Sequence, residues 1–225
     1  MPATRLPSPR LPSTRLSATR LSLTRLSTVL PRAAAAAALL LAASSAVPAA
    51  DAAPCERFLE PNHTYRANRH TFVTDVRGRP VEALAPALAD RAASRTSCQG
   101  TVGDWGGRGD WNGGHLIAAS FGGVGKRYNL APMQGRQINQ GLMKRVEDGA
   151  RACLEDAGEV SDYRVRLHYP DDSTVVPDTI RISLRTTRDV AFTLPNERLS
   201  EREVEDLEEK IARDLHCGKV SADRR

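Results

Sequence analysis

The sequence predicts a single α+β domain, and three patterns predict it. Residues 163–169 and 179–184 alternate between polar and apolar side chains, as two half-buried antiparallel strands do. An apolar stripe with helical spacing runs through residues 139–155. Residues 200–215 combine a capping signal with another apolar stripe, which predicts a C-terminal helix. A chain of 225 residues is long enough to bury a sizeable core.

Residues 1–50 have the pattern of a secretory signal peptide with an atypically long front end rich in Arg, Ser and Pro. An arginine–leucine pair recurs every five residues in its first half, a period that fits neither helix nor strand. An apolar run from Ala33 to Ala43 and then small residues follow. This run is shorter than the ~20 residues of a membrane-spanning helix. We therefore expect a secreted, extracellular protein with no membrane attachment after processing, cleaved near Ala50 or Ala53.

The positive charge of the chain lies in this leader. The whole sequence has 32 Lys and Arg residues against 27 Asp and Glu residues, a net charge of +5. Residues 1–50 contain six arginines and no acidic residue, so from Asp51 onward 26 basic residues face 27 acidic ones. The basic balance of the chain is therefore no evidence about the partner of the mature protein.

The cysteines predict two disulfides. Cys55, Cys98, Cys153 and Cys217 all follow the leader, and an even number of cysteines in an oxidising compartment is typical of a disulfide framework. The sequence leaves three pairings open; a bond between Cys55 and Cys217, which would join the two ends of the domain, is one hypothesis. No C-x-x-C spacing occurs, which disfavours a zinc site.

The N-terminal half of the domain, which we place at residues 55–217, gives weaker signals. Residues 71–74 are strand-like and residues 75–79 form a predicted turn. Residues 82–95 are rich in Ala and contain Pro, which favours a short helix or an irregular segment. We expect a loop over the glycine-rich residues 100–114, and a short buried strand at residues 116–119.

The remaining elements have clearer boundaries. Gly158 is the expected end of the helix at residues 139–155, since glycine favours the left-handed conformation at a helix C-terminus. Ser200 and Glu203 form the predicted capping box of the last helix. No interdomain linker is visible after residue 54.

A candidate site follows from polar side chains between residues 112 and 151. His115 is expected to open the short apolar strand and follows two glycines, which would let a ligand approach its imidazole. At ~100° per residue, Asn139, Glu147 and Arg151 flank the apolar stripe of their helix on one side. An amide, a carboxylate and a guanidinium facing a histidine suit an Mg²⁺-assisted phosphodiester site. Taken singly, each residue could equally be structural.

These residues resemble the secreted DNA/RNA non-specific endonucleases, which belong to the ββα-metal, or His-Me finger, nucleases. The resemblance is centred on residues 110–151 and extends more weakly from about Tyr65 to Ile182. It rests on an ordered set of motifs: Gly114-His115-Leu116-Ile117-Ala118, Phe121-Gly122-Gly123, Asn129-Leu130-Ala131-Pro132-Met133, Asn139-Gln140-Gly141 and Glu147. The resemblance implies a ββα-metal finger packed on an antiparallel sheet.

The resemblance also assigns roles to residues. His115 matches the general base, and Asn139 the side chain that binds a single Mg²⁺ directly. Glu147 matches the carboxylate that holds the metal through water, and Arg151 the guanidinium set against the scissile phosphate. Asn129 matches a second asparagine whose role is supportive.

The chain departs from the family pattern just before His115. Many members have Asp-Arg-Gly-His, whereas this chain has Asn112-Gly113-Gly114-His115. Asn112 is assigned a supportive role, and the basic residue two before the histidine is missing. One phosphate contact is therefore in doubt, and we consider Arg108, Arg127 and Arg136 as speculative replacements that bind substrate.

The predicted function is a secreted endonuclease that hydrolyses DNA, RNA or both with little sequence preference and uses Mg²⁺, with other cations such as Mn²⁺ possible. One alternative is a non-catalytic secreted module on the same fold that binds nucleic acid or protein. Another is a nuclease toxin with an immunity protein as partner. The sequence does not determine the preference between DNA and RNA, the oligomeric state or the biological role.

Overall fold

The computed structural model describes residues 55–94 and 98–217; the predicted signal peptide lies outside these residues. Its strands are β1 (Thr64–Ala67), β2 (His70–Thr74), β3 (Pro80–Ala87), β4 (Trp111–His115), β5 (Leu130–Gln134), β6 (Ser161–His168), β7 (Thr179–Arg185) and β8 (Asp189–Pro195). Its α-helices are α1 (Cys98–Asp104), α2 (Lys144–Ala157) and α3 (Glu201–Asp214). None of these helices has both the length and the apolar composition needed to cross a bilayer, within the described part of the chain.

The larger sheet is antiparallel throughout, with the strand order β1-β2-β3-β6-β7-β8. Residues of β6 and β7 alternate between buried and exposed, so the predicted antiparallel pair is confirmed. One face of the sheet supplies buried side chains such as Phe72, Val165 and Ile182 to the core. Helices α2 and α3 contribute Val146, Ala150 and Ile211 to the same core, so they cover that face.

Strand β3 corrects the expectation of a helix or irregular segment at residues 82–95. Its alanines Ala83 and Ala85 are fully buried, and β3 pairs with β2 on one side and β6 on the other. Strand propensity depends strongly on such tertiary context, and two hydrogen-bonded neighbours outweigh the low intrinsic preference of alanine. Pro86 is exposed near the end of the strand, where a missing N–H does little harm.

The glycine-rich loop expected at residues 100–114 is also wrong in part. Helix α1 and strand β4 each overlap this range, and the strand expected at residues 116–119 is instead β4, which ends at His115. Several of the glycines permit close backbone packing: a Cβ at Gly103 would lie 3.0 Å from the backbone nitrogen of Gly113. Glycine is common both in loops and where two backbone segments pack closely. The sequence alone did not distinguish these two roles.

Strands β4 and β5 and the following helix form the predicted ββα unit. The helix begins at Gly135, four residues before the predicted start, with a π-helical segment (Gly135–Met143) that continues into α2. The side-chain oxygen of Gln134 caps it, accepting hydrogen bonds from the backbone nitrogens of Gln137 at 2.9 Å and Ile138 at 3.3 Å. Gly158 ends α2 with φ +77°, as predicted.

The C-terminal helix has the predicted capping box, with Ser200 and Glu203 bonding reciprocally. The disulfides are Cys55–Cys98 and Cys153–Cys217, with Cα–Cα distances of 5.4 and 4.9 Å, so the hypothesis of a bond joining Cys55 to Cys217 is wrong. The end of α3 packs on α2, where a Cβ at Gly149 would lie 2.8 Å from Cδ1 of Leu215. This contact brings the last cysteine to α2 instead.

Candidate active site

A cleft of about 730 Å³ opens beside the ββα unit. Five of the residues singled out in the sequence line it: Asn112, His115, Asn139, Glu147 and Arg151. They come from β4, the π-helical segment and α2, which are adjacent because β4 pairs with β5 and the helix follows β5 directly. The cleft therefore brings together the imidazole, amide, carboxylate and guanidinium predicted to act together.

His115 is the last residue of β4, so the expectation that it opens a strand is wrong. The Nε2 atom of Gln99, in the first turn of α1, lies 3.4 Å from its Nδ1 atom. The preceding Gly113 makes this contact possible, since a Cβ there would lie 2.2 Å from the backbone oxygen of Gln99. The space that a side chain at position 113 would need is thus occupied by α1. The main effect of Gly113 is therefore to let α1 pack closely against β4, and not, as expected, to let a ligand approach the imidazole.

Gly114 allows Asn139 to approach the backbone beside His115. A Cβ at Gly114 would lie 2.8 Å from Oδ1 of Asn139 and 2.3 Å from Sδ of Met133. The Nδ2 atom of Asn139 donates to Oδ1 of Asn112 at 3.2 Å, and Nε2 of Gln140 donates to the same oxygen at 2.8 Å. Asn112 therefore engages the nitrogen of the Asn139 amide, and the oxygen of that amide remains on the side of Gly114.

Arg151 is held at the cleft by two contacts. Its Nη1 atom lies 2.6 Å from Oδ1 of Asp90, and its side chain is 30 % exposed. Its guanidinium carbon lies 5.1 Å from the centroid of the Phe121 ring, a cation–π contact that limits the orientations of the side chain. Asp90 follows β3 and is itself 71 % exposed, so this ion pair is open to solvent and to a competing anion.

Glu147 lies one turn before Arg151 on α2 and borders the core as well as the cleft. Burial raises the pKa of Tyr163, whose side chain points into the core from β6, and the negative charge of Glu147 raises it further. The Tyr163 hydroxyl has no hydrogen-bond partner among the described residues. The carboxylate of Glu147 therefore lies close enough to the buried Tyr163 hydroxyl to interact with it electrostatically.

Asn129 is buried and lies outside the cleft. Its Oδ1 atom accepts from the backbone nitrogen of Ile117 at 2.9 Å, and its Nδ2 atom donates to the backbone oxygens of Ile117 at 3.0 Å and Val124 at 2.9 Å. These bonds anchor the segment that follows His115 at both ends. The structure therefore gives Asn129 a scaffolding position, in keeping with the supportive role expected of it.

The three arginines considered as replacement phosphate contacts do not line the cleft. Arg127 is 3 % exposed, donates to the backbone oxygens of Leu130 and Arg57, and lies over the Trp105 ring at 5.0 Å. Burial lowers the pKa of Arg127 to about 10. Its assignment to substrate binding is wrong, because its guanidinium is used to fix the N-terminal segment. Arg108 and Arg136 are exposed elsewhere on the surface.

Sequence reasoning missed several charged or polar groups of the cleft, with Lys144 and Gln99 among them. Lys144 lines it and pairs with Asp148, with Nζ–O distances of 2.6 and 2.8 Å. Its spacing of three residues before Glu147 was a usable signal, since such residues share a helix face. Gln99 gave no signal, because its contact with His115 depends on how α1 packs against β4.

The oxygen atoms of the cleft suit a hard divalent cation. No cluster of three His, Cys, Asp or Glu side chains suited to a metal exists among the described residues, so a zinc-type site has no support there. Mg²⁺ needs fewer protein ligands, because it keeps several waters and uses one or two oxygen donors. The amide oxygen of Asn139 and the carboxylate of Glu147 are donors of this kind, so the residues present fit Mg²⁺.

The comparisons with known proteins place the chain in a class. Residues 61–187 match the family model of the DNA/RNA non-specific endonucleases, which covers more than half of the chain. By this match the protein is a nucleic-acid hydrolase. The chain belongs to the DNA/RNA non-specific endonuclease family.

The solved structures that are similar to the chain include the following two. One is NucA from Streptococcus agalactiae with no metal bound, at 20 % identity and a TM-score of 0.44, covering 60 % of this chain and 72 % of that one. The other is NucA from Streptococcus agalactiae with a magnesium ion bound, at 19 % identity and a TM-score of 0.48, covering 63 % and 76 %. No curated protein matches the sequence.

Proposed function

We propose that the protein is a secreted, Mg²⁺-dependent endonuclease that hydrolyses phosphodiester bonds of DNA, RNA or both with little sequence preference. The observation that carries the proposal is the single cleft that His115, Asn139, Glu147 and Arg151 share. A hydrolase of phosphodiesters needs a base for water, a cation for the leaving oxygen and a donor for the phosphate. These four side chains supply the base, the cation ligands and the phosphate donor.

His115 acts as the general base. Histidine is the side chain that most often serves as general base, because an imidazole can exchange a proton with water near neutral pH. The position of His115 at the end of β4, with Gln99 beside Nδ1 at 3.4 Å, makes it part of the lining of the cleft. The attacking water gives its proton to His115 as its oxygen bonds to phosphorus, and the bond from phosphorus to the leaving oxygen breaks.

Asn139 would hold Mg²⁺ directly, and Glu147 would hold it through water. The hydrogen bond from Nδ2 of Asn139 to Asn112 supports this assignment, because it directs the nitrogen away and leaves the amide oxygen as ligand. A bound Mg²⁺, or Mn²⁺ in its place, supplies positive charge against the oxygen that leaves phosphorus.

Arg151 binds the scissile phosphate. A guanidinium offers fixed donors to phosphate oxygens, whose charge rises in the transition state. The exposed Asp90 occupies these donors at 2.6 Å, and a phosphate can replace it at little cost because exposed ion pairs are weak. Contacts of this kind read no base edges, so the proposal includes weak sequence preference and strong salt sensitivity.

Secretion is part of the proposal and rests on the leader and the cysteines. Residues 1–50 have the order of a signal peptide, and the domain at residues 55–217 has both of its disulfides formed, as an oxidising compartment favours. N-terminal sequencing of protein recovered from the medium of an expressing host tests it. A start near residue 51 or 54 is expected, and retention inside the cell with residues 1–50 attached would contradict it.

A non-catalytic binding module on this fold is the weaker candidate. The observations that favoured it are the missing arginine at position 113 and the near-neutral charge of the chain after the leader. The packing of α1 on Gly113 accounts for that departure without any loss of catalytic groups, and a pure binding module has no need of a base at His115.

Digestion of plasmid DNA and total RNA by the mature chain tests the proposed activity. We expect cleavage with Mg²⁺, none with excess EDTA, and a rate lower by roughly 10²- to 10⁴-fold in His115→Ala. His168→Ala is the matched control, because that histidine is 70 % exposed on β6 and pairs with Asp178 away from the cleft. Full activity of His115→Ala, or no cleavage by the folded wild type with any divalent metal, would refute the proposal.

A further inference from the structure

The face of the large sheet that the helices leave uncovered carries four arginines on two adjacent cross-strand rows. In one row Arg66 on β1 and Arg164 on β6 occupy equivalent positions, linked through the pairs of β2 and β3. In the next row Arg166 on β6 is directly opposite Arg181 on β7. We call these four residues the arginine face.

The arginine face has an excess of positive charge. Its two rows contain one acidic residue, Glu82 on β3, which is directly opposite Arg166 and forms ion pairs with Arg166 and Arg164. Arg181 is exposed and forms no ion pair with any described residue. Four arginines against one glutamate leave a charge of +3 on a domain that is close to neutral. The nearby acids Asp162, Asp178 and Asp189 lie outside these rows, and each pairs with a residue outside the arginine face.

The position of Arg181 opposite Arg166 works against the stability of the sheet. Like charges directly opposite each other on neighbouring strands are destabilising, and an exposed position on β7 accepts many uncharged strand formers. The side chain of Arg166 is 57 % exposed, so burial does not require an arginine there either. Folding therefore does not require arginines at positions 166 and 181, whereas binding of an anion would explain why both are present.

The arginine face and the cleft lie on opposite sides of the sheet. Residues that alternate with these arginines, such as Tyr163, Val165 and Ile182, are buried against the core. The helix that carries Asn139, Glu147 and Arg151 packs on that buried side. A ligand of the arginine face therefore makes no contact with the catalytic groups.

We propose that the arginine face is a second binding surface for nucleic acid, which holds the phosphodiester backbone of a long polymer while another stretch of it occupies the cleft. The inference rests on the proposed function, since the nucleic acid is the same substrate. Hydroxyl side chains share both rows with the arginines: Thr71 lies between Arg66 and Arg164, and Ser183 and Thr193 follow Arg164 and Arg181 on the next strand. Hydroxyls donate to phosphates. From β1 to β7 the face spans about 19 Å, four strand spacings.

The two rows carry no aromatic side chain, so bases are not stacked there and the surface binds the backbone without regard to sequence. Binding at this face raises the effective concentration of the remaining polymer at the cleft. The gain exists only for substrates long enough to reach both sides of the domain. Short oligonucleotides receive none.

The first test measures binding in the inactive His115→Ala background with EDTA. The probe is a fluorescent DNA duplex of 60 base pairs, and Arg166→Gln/Arg181→Thr is compared with Arg202→Gln/Arg213→Gln, which removes the same charge from exposed positions of α3. We expect weaker binding at low salt only in the first variant, with the slope of log Kd against log salt reduced by about 2. Equal binding by both variants would overturn the inference. Competition with unlabelled duplex and with polyglutamate is compared at equal concentrations of negative charge. If polyglutamate competes as strongly as the duplex, the inference is overturned in favour of an acidic protein partner.

The second test uses the active chain and separates the inference from the proposed function. For plasmid DNA we expect Arg166→Gln/Arg181→Thr to raise KM several-fold with kcat unchanged, and cleavage of an oligonucleotide of 8 nucleotides to stay at the wild-type rate. An unchanged KM for plasmid in a chain that cuts both substrates would overturn the second surface alone. Absence of cleavage by the wild type would refute the proposed function. Thermal unfolding no earlier than that of the control variant excludes a folding defect.

Discussion

At the scale of single residues, glycines decide how the catalytic groups are placed. Gly113 lets α1 lie against β4, and Gly114 lets Asn139 reach the backbone next to His115. Both are sites where any side chain would collide with another part of the protein. The absence of an arginine at position 113 is thus a consequence of how α1 packs, and Gln99 of that helix contacts the imidazole instead.

Replacing Gly113 by alanine tests this packing. The new Cβ would lie 2.2 Å from the backbone oxygen of Gln99, so α1 must move, and we expect a loss of roughly 1–3 kcal/mol in the free energy of unfolding. Urea denaturation measures it. Gly100→Ala is the control on the same helix, since a Cβ there meets nothing within 4 Å and alanine favours helix. Equal stability of the two variants would contradict the account.

The residues of the site were predictable to the extent that their geometry is local. Asn139, Glu147 and Arg151 lie on one helix, so their spacing predicted a shared side, and all three line the cleft. Gln99 and Asp90 touch site residues through contacts between elements distant in the chain. Such contacts leave no periodic pattern in the sequence, so these residues were not found.

At the scale of elements, the helix of the ββα unit shows where helical periodicity is an incomplete guide. The prediction placed Asn139, Glu147 and Arg151 at 3.6 residues per turn, but Asn139 lies in the π-helical segment (Gly135–Met143), where hydrogen bonds run from i to i+5. Such segments are wider and frequent at functional sites. The periodicity predicted the correct side of the helix and not the exact angle.

The two disulfides hold elements of different importance for catalysis. Cys55–Cys98 fixes the start of α1, next to Gln99 and therefore next to His115, whereas Cys153–Cys217 joins α2 to the end of α3. We expect Cys55→Ser/Cys98→Ser to lower kcat/KM at least several-fold. Cys153→Ser/Cys217→Ser should lose roughly 2–4 kcal/mol of stability with near-normal kcat/KM at 15 °C, where circular dichroism confirms folding. A smaller kinetic loss in the first pair than in the second would contradict this assignment.

The capping box of α3 makes one contribution to stability dependent on pH. Hydrogen bonds from the Ser200 hydroxyl and backbone nitrogen hold the pKa of Glu203 below its ordinary value of 4.5. A carboxyl group whose pKa is lower in the folded state than in the unfolded state stabilises the folded state at pH values above its ordinary pKa. This contribution is lost as the pH falls through the pKa of the folded state. Glu203→Ala should therefore lower Tm at pH 7 and have little effect at pH 2.5. Glu209→Ala, on the exposed middle of α3, is the control; an equal Tm loss from Glu203→Ala at both pH values would contradict the capping role.

At the scale of the whole molecule, the large sheet separates two surfaces with different chemistry. Its inner face supports the helices that carry the cleft, and its outer face carries the four arginines. The net charge of the chain concealed this division, because the leader holds six arginines and the rest is nearly neutral. The distribution of charge became visible only when the strand register was known.

The fold as a whole was predictable where a pattern stayed regular over a full element. The alternation in β6 and β7 and the capping box of α3 predicted those elements correctly. Strand β3 was predicted as a helix or irregular segment because alanine has a low intrinsic preference for strands. Strand β8 was not predicted, although its buried residues Val190, Phe192 and Leu194 alternate with exposed ones. The order of strands and the disulfide pairing are set by tertiary packing, which the sequence pattern does not express.

The most direct test of the central claim is the dependence of the plasmid cleavage rate on Mg²⁺ concentration in the wild type, Asn139→Ala and Gln140→Ala. Asn139 supplies the direct metal ligand in this account, so we expect its loss to raise the Mg²⁺ concentration for half-maximal rate by at least about 10-fold. Gln140→Ala removes the neighbouring amide of the same cleft and should leave that concentration close to the wild-type value. Identical Mg²⁺ dependence in the wild type and Asn139→Ala would contradict the account.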